Sequence, residues 1–458
     1  MAASNPTAPN AHASGSDALV TFELPGPREM VTTAERAEEL AKPLQDALEH
    51  KQVNKYSKIR LGGKSFNVVA AKVFASKLEK LQGIRVADLS DIIAGQHEDT
   101  AQEVLLHLCT SLKEHPLEEI NLSDNALGLR GVKACTNAFI NQKHLQRVYF
   151  NNNGLDELSA QAIVDLVMPV KDTVTTFHIY RNLLRGGGGR ALGTLFSHLS
   201  QLQDLRVSGT RLTPDGGVAL LKGLQSHHTL RSMDLSDNSF GPHSAPLLAR
   251  IIRQNKQLHT LVIGDTSLEG GIAVVLRALK DSVPDLVSLS LTCSELSPKR
   301  AHLLAEVISA HPKLVRLHVD GNRLRDSGLQ VLADALKVHK SVRELSVAEN
   351  RLKAAAVNTL LDMQLHSHLA ALNFNRNRLR DEAVARLRSE VSASVLASLS
   401  DNEEEMTDTE DEEDDDMSDD DTAVPHPQSS SSSSAAAAAA AVDKDVAELT
   451  AGIAKTTL

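Results

Sequence analysis

The stretch "LEEINLSDNAL" (residues 117–127) places apolar residues at its first, fourth, sixth and eleventh positions and an asparagine at its ninth. The same spacing, L-x-x-L-x-L-x-x-N-x-L, returns at Leu145, Val174, Leu202, Leu230, Leu258, Leu286, Leu314, Val342 and Leu369. Successive starts are 28 residues apart, apart from one step of 29 and one of 27. Two weaker copies begin at Tyr56 and Ile84, and a step of 33 separates the second from Leu117. A period of this length marks a stack of supersecondary units, none of which can bury its own apolar face alone.

Each unit has a simple physical reading. The alternating L-x-L is a short strand with inward and outward faces. The residues behind it carry helical periodicity, as in "GVALLKGLQSHH" (217–228) and "GLQVLADALKVH" (328–339). Stacked strand–helix units predict an α/β leucine-rich-repeat solenoid of about 28-residue repeats, a horseshoe similar to ribonuclease inhibitor with an inner parallel sheet and outer helices. The ninth position holds Asn125, Asn153, Asn182, Thr210, Asn238, Thr266, Ser294, Asn322, Asn350 and Asn377. All can hydrogen-bond locally where the chain leaves the strand, so an internal polar ladder is expected. That accounts for Asn153 in "YFNNNGL" (149–155) but leaves Asn151 and Asn152 without a role in the fold.

The chain divides into six parts on this reading. Residues 1–18 are expected to be disordered, and 19–55 to cap the first repeat with the helix "TTAERAEELAKPLQDALEH", interrupted at Pro43. Residues 56–400 hold the repeats and a closing helix, "DEAVARLRSEVSASVLASL". An acidic tail (401–421), a Ser/Ala low-complexity linker (422–441) and a short C-terminal helix (442–458) follow. Residues 401–421 carry 15 acids and no base, so the net charge of −11 belongs to them: the remaining 44 acids face 48 Lys and Arg. That acidity makes nucleic acid an unexpected partner for this end.

Composition restricts the function classes. Aromatic residues make up 3% of the chain, and there is no tryptophan, which fits a core of regularly layered Leu, Val, Ile and Ala. The three cysteines, Cys109, Cys135 and Cys293, have no close spacing, so neither a disulfide framework nor an oxidising compartment is expected. The opening "MAASNPTAPNAHASGSD" has no apolar h-region and no arginine, so no secretory or mitochondrial leader is expected. No apolar run approaches the ~20 residues that span a bilayer. The "GGGG" at 186–189 lacks the following Lys-Ser or Lys-Thr of a phosphate loop, and Gly131, Gly188, Gly216 and Gly328 recur at helix entries. His107 and Cys109 have no second ligand pair nearby, so no metal and no resident cofactor are expected. "TTL" at 456–458 fits only a loose carboxylate-capture pattern.

Three stretches in order carry a resemblance: "VADLSDIIAGQHED" (86–99), "INLSDNALGLRGV" (120–132) and "VYFNNNGL" (148–155). With the acidic run behind the last repeat, they resemble the opening repeats of the Ran GTPase-activating proteins, over residues 35–421. The N-terminal region from Val31 is most similar to plant-type members, without their nuclear-envelope targeting domain.

The resemblance implies a catalytic role for Asn152, reaching into Ran's nucleotide site to help Ran's own glutamine hold the attacking water. Many activators of small GTPases insert an arginine worth roughly 10³–10⁵ in rate; this family is understood not to. It further implies Ran contacts at Asp91, Gln96, Asp124, Asn125, Asn151 and Asn153, with Gln96 standing where the family usually has arginine. Glu403, Glu404, Glu405, Asp414, Asp415 and Asp416 would steer encounter with a basic partner. Ser418, Thr407 and Thr409 are acid-flanked candidates for phosphorylation.

The expectation is a monomeric, cytoplasmic or perinuclear regulator of Ran without its own active site. Magnesium and GTP would arrive with Ran, Ran-binding proteins would be further partners, and no membrane insertion is expected. A non-catalytic protein-binding scaffold is the rival reading.

Overall fold

The computed structural model describes residues 20–268 and 270–402. Positions three to five of each repeat form a three-residue strand, as in Glu119–Asn121, Arg147–Tyr149 and Thr176–His178. The central residue of each points inward, and Ile120, Val148 and Phe177 are fully buried. A helix follows each of the twelve strands, from Val68–Leu78 to Asp381–Glu390.

Among the described residues the strands join in chain order into one parallel sheet of thirteen, running from Thr21–Glu23 to Ala371–Asn373. Equivalent template positions pair across it: Glu119 with Arg147, Ile120 with Val148, Asn121 with Tyr149. This register follows from the constant repeat length, since a slip of one residue would turn every apolar side chain outward. The buried residues form one continuous core between sheet and helices. All nine phenylalanines lie in it, with ring centroids of Phe139 and Phe150 at 6.1 Å and of Phe177 and Phe196 at 5.6 Å. The aliphatic core expected from composition therefore has aromatic fillers where repeats depart from the consensus.

The N-terminal cap is more than a covering helix. Its strand Thr21–Glu23 adds to the sheet beside Lys58–Arg60, and a second small sheet pairs Glu29–Val31 with Lys64–Phe66. Its helix Ala34–Glu49 starts at Thr33, whose hydroxyl accepts from the Arg36 amide at 3.2 Å. Pro43 does not interrupt that helix. The ring sits on the solvent side, while Ala37, Leu40, Ala41, Leu44 and Ala47 are buried. Burial along that face outweighs the ~3 kcal/mol cost of an interior proline.

The other end also differs from expectation. The closing helix stops at Glu390, and the chain then runs beside the last strand, with Leu372 accepting from and donating to the backbone at Ala397 and Val395. Asn402 Oδ1 accepts from the Asn377 amide at 2.8 Å, continuing the ladder. "LSDN" at 399–402 repeats "LSDN" at 122–125 and 235–238, so Asp401 and Asn402 belong to a truncated further repeat rather than to the tail.

The glycine run lies inside the helix Arg185–Phe196. A Cβ on Gly188 would stand 2.6 Å from that of Leu184, and one on Gly189 would stand 2.5 Å from the Gly216 carbonyl of the next helix. Gly189 thus lets two helices approach backbone to backbone, while Gly188 leaves room for Leu184 at the start of its own helix, so both have a packing role.

Candidate functional site

The ladder is present and largely buried. Asn153 Oδ1 accepts from the Asn125 amide at 2.8 Å, and its Nδ2 donates to the Leu122 carbonyl at 3.0 Å. Asn125 Oδ1 accepts from Ile92 N at 2.9 Å, and Asn125 Nδ2 reaches the carbonyls of Leu89, Leu122 and Ser123. Asn182, Asn238, Asn322 and Asn377 repeat the arrangement. Asn125 and Asn153 are 2% and 1% exposed, so the fold consumes the hydrogen-bonding capacity of their side chains.

Asn151 is also committed to the fold. It is 7% exposed, and its Oδ1 accepts from Tyr180 N at 3.3 Å while its own amide donates to Ser123 Oγ. It closes the strand ends of neighbouring repeats.

Asn152 is different. Its backbone lies in the left-handed region at φ 51°, and its side chain is exposed. All twelve repeats have a positive φ at this eighth position, from Gly63 through Asp91 and Asp124 to Glu349 and Arg376. The amide there donates to the seventh-position carbonyl of the next repeat: Asp91 to Ser123, Asp124 to Asn151, Asn152 to Tyr180. The result is a row of side chains along the rim where the strands end. Asparagine tolerates this conformation better than most residues, so the fold offers a reason for its presence that the repeat pattern alone did not reveal.

Within that row Asn152 Nδ2 donates to Asp124 Oδ1 at 2.8 Å. Asp91 pairs with Arg28 from the cap. Gln96 is half-buried, and its Nε2 donates to Ser65 Oγ at 3.3 Å. Gln96 and Asp124 line one groove of about 340 Å³. Arg130 lines it too, and its guanidinium is held by Asp99 at 2.7 Å, Gln102 at 2.7 Å and Glu98 at 3.2 Å. Arg85 and Arg130 are both near Gln96 in sequence, and Arg130 is the one that lines this groove. The extra residues between the Ile84 and Leu117 repeats carry Glu98 and Asp99, and they were the available signal. The sheet face beside Asn152 is polar and aromatic: Arg206 stacks 4.0 Å over Tyr180, and Tyr149 meets His178 edge-on. Burial pushes the Tyr149 hydroxyl well above its usual range, so it stays protonated.

Among the described residues no cluster of three or more His, Cys, Asp or Glu side chains is arranged to hold a metal. No described helix is long and apolar enough to cross a membrane. Cys109 and Cys135 are buried free thiols, and Cys293 is exposed. Glu403, Glu404, Glu405, Asp414, Asp415 and Asp416, with Thr407, Thr409 and Ser418, lie outside the described residues, as do the linker and the C-terminal segment.

A Leucine Rich repeat family model matches residues 113–134 and 310–333. RAN GTPase-activating protein 1 of Arabidopsis thaliana is 36% identical over 134 residues, 29% of this chain and 24% of that protein. Ran GTPase-activating protein 1 of Saccharomyces cerevisiae is 27% identical over 212 residues, 43% of this chain and 52% of that protein. Ribonuclease inhibitor of Sus scrofa is 26% identical over 193 residues, 41% of this chain and 42% of that protein. The chain thus spans about half of the yeast relative and less of the plant one. The chain is a leucine-rich-repeat solenoid whose repeats are similar in sequence to those of Ran GTPase-activating proteins.

Proposed function

We propose that this chain stimulates GTP hydrolysis by Ran, and that Asn152 is the residue it presents to the reacting centre. The similarity to plant and yeast Ran GTPase-activating proteins supports the activity class. The observation that carries the residue assignment is the Asn152 side chain, exposed on the rim while both neighbouring asparagines are buried.

A carboxamide donates and accepts at once without adding charge. It can therefore help Ran's own glutamine orient the attacking water. In phosphoryl transfer to water, positioning and electrostatic stabilisation supply most of the catalysis. Nucleotide and magnesium come with Ran. Asp91, Gln96 and Asp124 would line the contact, and the acidic run behind the repeats would speed encounter. The working place would be the cytoplasm near the nuclear envelope, supporting transport between nucleus and cytoplasm.

A second reading, a non-catalytic scaffold that holds another protein, is favoured by one observation. Every repeat has a left-handed eighth position, which gives Asn152 a reason to exist without chemistry. Single-turnover hydrolysis by GTP-loaded Ran separates the two, with wild type and Asn152→Ala compared at equal concentration. Strong stimulation lost in the variant supports the activator. A folded wild type without effect supports the scaffold.

A further inference from the structure

The eighth-position row changes sign at Asn152. Asp91 and Asp124 precede it, and Arg181 follows it. Both carboxylates are engaged, Asp91 by Arg28 and Asp124 by Asn152 itself. Arg181 is exposed, and among the described residues its guanidinium has no hydrogen-bond or ion-pair partner. Arg185, the first residue of the helix Arg185–Phe196, is likewise exposed and unpaired. The acids around them are occupied or set apart. Asp215 is bound to Arg190, and Asp156 caps its own helix by accepting from the Ser159 amide. Glu157 lies against Gly187, and Asp237 lies over Gly209, with no ion pair to either arginine.

Asn152 and Arg181 are neighbours by backbone geometry. The Asn152 amide donates to the Tyr180 carbonyl at 2.9 Å, and Arg181 is the next residue. Neighbouring strands lie about 4.8 Å apart, so the two side chains leave the rim next to each other. Leu158 adds an apolar group to the same rim. It is 65% exposed at the second position of the helix Glu157–Val167. It follows Asn152 by six residues, so their Cα atoms are at most ~21 Å apart. Neighbouring repeats have Arg130, Gly187 and Asp215 at that place, so the repeat does not call for leucine. Nor does it call for Arg181, the sole base in the row before Arg376.

We infer that Arg181, Arg185 and Leu158 are docking residues for Ran; this rests on Ran being the partner of the Asn152 rim. The two guanidiniums take carboxylates on the GTPase, which their forks match in paired hydrogen bonds. Leu158 is covered by an apolar area of the same partner. Guanidiniums without an internal partner exchange only water for these contacts, so they break no bond of the fold. Docking there sets the Asn152 carboxamide against the nucleotide site without placing an arginine in it.

The test is GTP hydrolysis by Ran over a range of Ran·GTP concentrations, with catalytic amounts of the full chain, giving kcat and KM separately. Arg181→Gln with Arg185→Gln should raise KM roughly tenfold and leave kcat within about twofold. The salt dependence of kcat/KM should flatten in that variant, because two charge contacts are gone. Leu158→Ser should raise KM by a similar factor, with the salt dependence unchanged. Asn152→Ala lowers kcat instead. Arg250→Gln with Arg253→Gln, both exposed on the helix Ala245–Gln254, should match wild type. An unchanged KM in either variant, with wild-type stimulation intact, overturns the assignment of the residues it replaces and leaves the Ran reading standing. A wild-type chain that leaves Ran unstimulated overturns that reading and this inference with it. Sedimentation of the free chain supplies the competing occupant: a dimer that is lost in Leu158→Ser gives the leucine to a second copy and overturns its assignment to Ran.

Discussion

Asn152 Nδ2 donates to Asp124 Oδ1 at 2.8 Å, so the carboxamide on the rim is oriented by the carboxylate of the preceding repeat. The bond commits the amide nitrogen to Asp124 and takes no part of the oxygen. Asp124→Ala removes that restraint without touching the core, since Asp124 is itself exposed. If Asn152 positions water on Ran, Asp124→Ala lowers the stimulated single-turnover rate on the order of tenfold, and Asp124→Asn restores part of it. A rate equal to wild type in Asp124→Ala would remove the pair from the mechanism.

Asn152 and Asn153 are adjacent but belong to different layers, and stability measurements should separate them. Asn153→Ala leaves the buried Asn125 amide without its acceptor and removes one of the two donors to the Leu122 carbonyl, which keeps Asn125 Nδ2. Each unsatisfied buried group costs about 1–3 kcal/mol, so the urea midpoint should fall clearly. Asn152→Ala removes one exposed hydrogen bond and should shift the midpoint by about 0.5–1 kcal/mol or less. Equal losses in the two variants would contradict the assignment of layers.

The repeats and the ladder were legible because they rest on residue type at fixed spacing. The left-handed eighth position was not. Glycine, aspartate and asparagine mark it at Gly209, Asp237 and Asn152, but Arg181, Cys293 and Glu349 occupy it too. There the inter-repeat amide bond imposes the conformation regardless of side chain. The fold role of Asn151 is hidden for a related reason: its carboxamide accepts from a backbone amide at the end of the next strand, a partner invisible in a linear pattern. The truncated last repeat was hidden by composition, because Asp401 opens the acidic run and Asn402 looks like part of it. Pro43 suggests a break in the sequence, but the buried helical face around it decides the local structure.

Close helix packing gives a further contrast. In Gly189→Ala the new Cβ meets the Gly216 carbonyl oxygen at 2.5 Å, so two helix backbones must separate. Such overpacking costs about 1–3 kcal/mol. Gly154 has nothing within 4 Å of a Cβ but a φ of +64°, so Gly154→Ala meets only conformational strain of about 1 kcal/mol. Calorimetric melting should therefore rank wild type above Gly154→Ala, and Gly154→Ala above Gly189→Ala. The reverse order would show that the helices yield easily.

Three buried histidines set a pH dependence. His115 Nε2 contacts the Leu78 carbonyl at 3.0 Å, His227 Nε2 that of Phe196 at 2.7 Å, and His311 Nδ1 that of Val307 at 2.5 Å. Burial lowers all three pKa values, more than the carbonyl partners raise them. The folded chain therefore keeps these rings neutral at pH values where the unfolded chain, near 6.5, takes up protons. Their stabilisation is complete above about pH 7 and is lost as pH falls below about 6.5, by at most ~1.4 kcal/mol per pH unit for each proton. Lowered carboxylates such as Asp156 and Asp204 act in the same direction but below about pH 4. Urea midpoints at pH 7.5 and 5.5 should thus differ, with the lower value at pH 5.5. The difference should shrink in His227→Gln, which removes one of the three protonations, whereas an unchanged difference would assign the pH response to other groups.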